Sequence, residues 1–112
     1  MRVGRHKGQQ GAYELARELD TTTDEQKDAV FRLLYYAASE GYVPAFMSYA
    51  ACLDPTREPW GTIAKDPLES YTYYKKAGTG EAVAAMGKIR EWATELNARG
   101  DARAARWLQE ME

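Results

Sequence analysis

The chain has 112 residues, of which 45% are hydrophobic, 29% charged and 12% aromatic, with 15 Lys+Arg against 17 Asp+Glu and a formal net charge of -2. A chain of this length buries roughly two thirds of the surface its unfolded form exposes, enough for one domain, 1–112, with one core and no covalent staples. Cys52 is the single cysteine and His6 the single histidine, which excludes an intramolecular disulfide, paired-cysteine metal or redox sites and HExxH-type zinc sites, while the near-neutral balance gives no footprint for nucleic acid.

Residues 1–7 hold Arg2, Arg5, His6 and Lys7, a short positive cluster read as an ordinary N-terminal tail before a contact for RNA or a membrane surface. No apolar run of signal-peptide or membrane-spanning length occurs, so the sequence reads as a soluble, cytoplasmic protein with no membrane partner. The segment GAYELARELD has the look of a helix start. Val30, Leu33, Leu34, Ala37 and Ala38 then follow helical spacing, behind Thr22 and Glu25 at capping-box spacing and ahead of Gly41 as a stop. Pro44 opens a helix through Leu53. In Asp66-Pro67-Leu68-Glu69, Asp66 is placed to cap, Pro67 fills the first helical position, where its missing N–H costs nothing, and Glu69 is placed to close a capping box. That helix runs to about Ala77 and ends in Gly78-Thr79-Gly80. Glu81 opens another through about Ala98, before Gly100, and Asp101 caps a last one carrying Ala104, Ala105, Leu108 and Met111. No strand is expected, so the fold class is all-α with about six helices.

The chain also repeats itself. YYAASEGYVPAFMSYAACLD and YYKKAGTGEAVAAMGKIREW share a double Tyr, a small residue, a Gly and an Ala-led helix, with Tyr35 matching Tyr73 and Ala45 matching Ala82. The parse is three helix pairs, about 8–41, 44–80 and 81–112, each needing its neighbours to cover its apolar surface. Small residues at Ala37, Ala50, Ala77 and Gly87 are read as points of close helix approach, with adjacent aromatics filling the gaps.

These units resemble the Sel-one-like repeat, a relative of the tetratricopeptide repeat. In the second unit, Ala45, Tyr49, Ala50 and Leu53 fall on the first-helix positions; Gly61, Ile63 and Asp66 resemble the linker; and Ser70, Tyr73, Tyr74, Ala77 and Gly80 resemble the second helix and its stop. The first unit keeps Leu15, Ala16, Leu19, Leu33, Leu34, Ala37, Ala38 and Gly41; the third keeps Ala82, Met86, Gly87, Ala104, Trp107 and Leu108. Arg90 stands where a Tyr is expected, which suits a terminal repeat facing water, and the linker from Leu53 to Asp66 is longer than the usual unit. The resemblance implies a short right-handed α-solenoid whose first helices line a concave groove. Its non-core groove positions are Tyr13 and Arg17, then Met47 and Ala51, then Lys88, Glu91 and Trp92.

Other residues divide between packing and chemistry. Tyr35, Tyr36, Tyr71, Tyr73 and Tyr74 read as inter-helix packing before a ligand-stacking cluster, and Cys52, without a neighbouring His, as an inert packed thiol. Glu14/Glu18 and Glu91/Glu95 each share one helix face, which fits a solvated surface and not a pair facing across a cleft. The linker DPTREPWGTIAKD, within 54–66, carries Trp60 between prolines and a glycine, either folded back over the core or exposed as a binding anchor.

No catalytic, cofactor or metal constellation is found. The expected function is therefore a non-enzymatic protein–protein interaction module, binding a partner protein through the groove or the 54–66 linker at Tyr13, Arg17, Met47, Ala51, Trp60, Lys88, Glu91 and Trp92. The resemblance implies an adaptor, inhibitor or immunity-type accessory protein, of the kind found in bacterial secretion and toxin–immunity systems. The alternatives are a small-molecule-binding protein or small enzyme using the Tyr-rich interior, or a piece of a longer repeat array. Trp107 and Leu108, with no following repeat, point to a monomer or a weak homodimer through the end units.

Overall fold

A computed structural model describes residues 8–112, and the positive cluster at Arg2, Arg5, His6 and Lys7 lies outside the described residues. Six helices follow in chain order: α1 (Gly8–Glu18), α2 (Asp24–Ser39), α3 (Pro44–Leu53), α4 (Pro67–Ala77), α5 (Gly80–Ala98) and α6 (Ala102–Glu110). The described residues contain no strand, and one isolated bridge joins Trp60 to Ile63. The fold is all-α.

Local chemistry sets most of the helix ends. Asp66 caps α4 by accepting from the Glu69 backbone N–H at 3.1 Å, with Pro67 at the first position. Gly78 then ends α4 at a φ of 68°, in the left-handed region where glycine carries no Cβ penalty. Thr79 caps α5 by accepting from Ala82 N, so this helix starts at Gly80, one residue before the expected Glu81. Asp101 caps α6.

Two capping details differ from the sequence reading. The capping box of α2 uses Thr23 and Gln26 in place of Thr22 and Glu25. Gln26 wins because its amide oxygen gathers three donors at once: Thr22 N at 2.9 Å, Thr22 Oγ1 at 2.9 Å and Thr23 N at 3.1 Å. At α4 the Glu69 carboxylate does not return to the cap; it accepts the Tyr49 hydroxyl at 3.0 Å, tying α4 to α3.

Each helix packs on its chain neighbours, α1 on α2 through to α5 on α6, and α4 also meets α6. The described chain measures 55 × 29 × 20 Å with a radius of gyration of 15.2 Å. A compact domain of this length has a radius of about 13 Å, so the molecule is drawn out along one axis.

α3 is the centre of the core. Ala45, Phe46, Tyr49, Ala50, Cys52 and Leu53 are all buried, leaving little of this helix for water. Ala50 and Ser70 are fully covered, and the Ser70 hydroxyl donates to the Ala50 carbonyl at 2.8 Å, which two small side chains at a helix crossing permit. Tyr49 joins three helices: its ring centroid lies 5.5 Å from Phe31 of α2 and 4.9 Å, edge-on, from Tyr73 of α4.

The aromatic packing is asymmetric. Tyr71, Tyr73 and Tyr74 are buried as expected, but Tyr35 and Tyr36 are 51% and 47% exposed, and the repeat positions Leu15 and Leu19 are 46% and 38% exposed. α1 is the first described helix, and only Ala16 of it is buried. Gly87 is likewise no close-approach point, since a Cβ built there meets nothing within 4 Å. Arg90 does more than face water; its guanidinium donates to the Tyr71 hydroxyl and, at 3.3 Å, to the Met111 carbonyl, linking α5 to α4 and to the end of α6.

Candidate functional site

The 54–66 linker is a strap fastened at several points. Asp54, only 2% exposed, caps the end of α3 and accepts Thr56 N and Thr56 Oγ1 on one carboxylate oxygen at 2.8 and 2.7 Å. Its other oxygen accepts the Tyr74 hydroxyl at 2.8 Å, so a buried carboxylate has its donors supplied by the strap and α4. Lys65 Nζ donates to the Cys52 and Glu58 carbonyls at 3.1 and 2.7 Å, drawing the two ends of the strap together, and burial lowers its pKa.

The middle of the strap lies on α2. The Trp60 indole N–H donates to the Lys27 carbonyl at 2.7 Å, and the Lys27 ammonium sits 5.6 Å from the Trp60 ring centroid. Thr62 donates from its backbone and its hydroxyl to the two Asp28 carboxylate oxygens at 2.8 and 2.6 Å. Those two hydrogen bonds, the hydroxyl's first, hold the Asp28 carboxyl below the usual carboxylate range. Gly61 makes the turn between them at a φ of 56°, and any Cβ there would run into the Asp28 carboxylate. Of the two readings left open for Trp60, the polar end of the ring is tied to α2 and the side chain is partly buried against the core.

Between the strap, α1 and α3 opens a cleft of about 750 Å³. Its floor is apolar, built from Ala16 of α1, Val30 and Leu34 of α2, and Ala51 and Cys52 of α3. Its rim is polar, with Arg17 on one side, Lys27 and Trp60 behind, and Arg57, Glu58 and Pro59 on the strap. Burial pushes the Cys52 thiol from about 9 up to about 11, so it is protonated at neutral pH and supplies the floor with a small apolar surface, not a nucleophile.

The cleft brings together three of the eight residues singled out from the sequence, Arg17, Ala51 and Trp60. Two others lie one helical turn away on the same helices. Tyr13 lies tilted against Tyr42, ring centroids 5.6 Å apart, and carries the Arg17 guanidinium 5.7 Å from its own centroid, while Met47 packs on the core and accepts the Thr79 hydroxyl at its sulfur. The remaining three, Lys88, Glu91 and Trp92, sit on α5 and do not line the cleft. Trp92 is occupied within its own helix pair: it stacks on Trp107 at 5.3 Å, with the Arg103 guanidinium 5.0 Å from the Trp107 ring. Lys27 and Arg57 are the cationic cleft residues that the sequence reading did not single out. Arg57 stood in the linker already marked as unusual; Lys27 carries no local signal, since its place depends on a strap some thirty residues further along.

Among the described residues no group of three or more His, Cys, Asp or Glu is arranged to hold a metal ion, and no helix is long and apolar enough to cross a membrane. No protein-family model matches the chain, and no curated protein and no solved structure matches it.

Proposed function

We propose that this chain is a non-catalytic protein–protein interaction module, a short right-handed α-solenoid of three Sel-one-like helix pairs that holds a partner protein in the cleft beside the 54–66 strap. The observation that carries the reading is the cleft itself, where Arg17, Ala51 and Trp60, chosen from groove positions and linker composition, line one concavity. A concave, apolar-floored site with a few polar groups at its rim is the ordinary form of a recognition site. Packing in chain order and the drawn-out shape support the solenoid parse into pairs 8–41, 44–80 and 81–112.

The non-catalytic part rests on how the interior's reactive groups are used. Asp54 is engaged by Tyr74 and Thr56, Glu69 by Tyr49, and the Cys52 thiol is held protonated. Each is a structural fastening. An adaptor, inhibitor or immunity-type role in the cytoplasm fits a module of this size.

The test is affinity capture from a lysate of the native host with the intact chain and with Ala51→Phe, which fills the cleft from its floor. Recovery of one stoichiometric protein by the intact chain alone supports the reading. Recovery of a small molecule and no protein overturns it.

A further inference from the structure

The rim of the cleft carries a charge pattern that its packing does not use. Arg17, Lys27 and Arg57 face it with Glu58 as the single acid, an excess of two positive charges in a chain whose formal net charge is -2. Among the described residues the one ion pair joins Arg103 to Asp101 at the start of α6, far along the chain from the cleft, so none of the three cations is paired with a described carboxylate. The Arg17 guanidinium lies 5.7 Å from the Tyr13 ring centroid and the Lys27 ammonium 5.6 Å from that of Trp60, contacts that do not neutralise either charge. Like charges gathered round one concavity repel one another, and an apolar wall of low polarisability focuses their field on whatever enters.

Resting on the module reading above, we infer that the cleft takes an acidic peptide segment with one apolar anchor residue. The anchor lies on Val30, Leu34 and Cys52, and its flanking carboxylates meet Arg17 on one side and Lys27 and Arg57 on the other. The indole N–H of Trp60 is already spent on the Lys27 carbonyl, so Trp60 offers its carbon face to the anchor and no hydrogen bond. The apolar floor separates this occupant from a nucleic acid, which would need its phosphates matched and its bases stacked, while the floor presents aliphatic side chains and a thiol.

The experiment is selection of a random peptide display library on the intact chain. A synthetic copy of the enriched sequence is then titrated against the intact chain, Arg17→Glu, Arg57→Glu and the distant Arg106→Glu. The enriched peptides are expected to carry acidic residues around an apolar one. Their affinity should fall at least about tenfold in either cleft variant and with added salt, and stay unchanged in Arg106→Glu. Enrichment of neutral or basic peptides, no enrichment at all, or acidic peptides indifferent to Arg17 and Arg57 would each overturn the inference. So would tighter, Arg17-dependent binding of a single-stranded oligonucleotide. Failure here is separable from failure of the module reading: a captured protein that is lost in Ala51→Phe but kept in both charge reversals leaves the module standing and removes only the acidic segment.

Discussion

Asp54 and Tyr74 show how much of this molecule rests on single polar groups in the interior. Tyr74→Phe keeps the ring and removes one donor from a carboxylate that is 2% exposed. The variant should lose about 1–3 kcal/mol in urea unfolding, the penalty for a buried group left short of a partner. Cys52 gives a pH signature. Because its thiol is raised from about 9 to about 11 in the folded chain, the folded state holds a proton that the unfolded state has lost between those values. The stability from this site is therefore complete below pH about 9 and is lost as pH rises through about 11. Unfolding free energy should slope downward from about pH 9, and Cys52→Ala should flatten the first part of that slope. An unchanged slope in Cys52→Ala would show that the thiol is not held this way. Tyr49 and Tyr74, also raised chiefly by burial, join at still higher pH.

Helix ends were legible in the sequence because caps are local. Pro44 to Leu53 and Pro67 to Ala77 match their expected limits, since a proline or an Asp-Pro pair acts within one turn. Choosing between overlapping caps needs side-chain geometry, and that is where Thr23 with Gln26 displaced Thr22 with Glu25. Thr23→Ala should cost about 0.5–2 kcal/mol in thermal unfolding, whereas Glu25→Gln at an exposed position should stay within about 0.5 kcal/mol; the reverse order would restore the sequence-based assignment. The strap was visible only as an odd composition. What fixes it, Thr62 on Asp28 and Trp60 on the Lys27 carbonyl, joins residues more than thirty positions apart, and no periodicity encodes such a pair. Gly61→Ala brings a Cβ against Asp28 at a positive φ and should cost more than about 1 kcal/mol. Hydrogen exchange at Thr62 should accelerate in that variant ahead of exchange in α3; equal acceleration in both would mean that the strap has no separate stability.

Across the chain, two of the four small residues expected at close helix approaches, Ala37 and Ala50, are fully covered, while Ala77 is partly buried and Gly87 is exposed. Ala37, Ala45, Ala50 and Ala82 are all fully covered, because a small residue at a crossing is demanded by whichever helix lies opposite. Tyr35, Tyr36, Leu15 and Leu19 have the residue types of a core but stand where no further helix among the described residues covers them fully. The same reasoning separates the groove candidates. Expected groove positions on α1 and α3 reach the cleft at Arg17 and Ala51, while those on α5 lie outside it, where Trp92 and Trp107 stack on each other.

The most direct measurement is hydrogen–deuterium exchange of the chain alone and with its captured protein partner. Binding in the cleft predicts slowed exchange in the segments holding Arg17 and Leu19, Ser48 to Cys52, and Thr56 to Trp60, with α5 and α6 unchanged. Protection confined to α5 and α6, or a partner that leaves all three cleft segments exchanging as in the free chain, would contradict it.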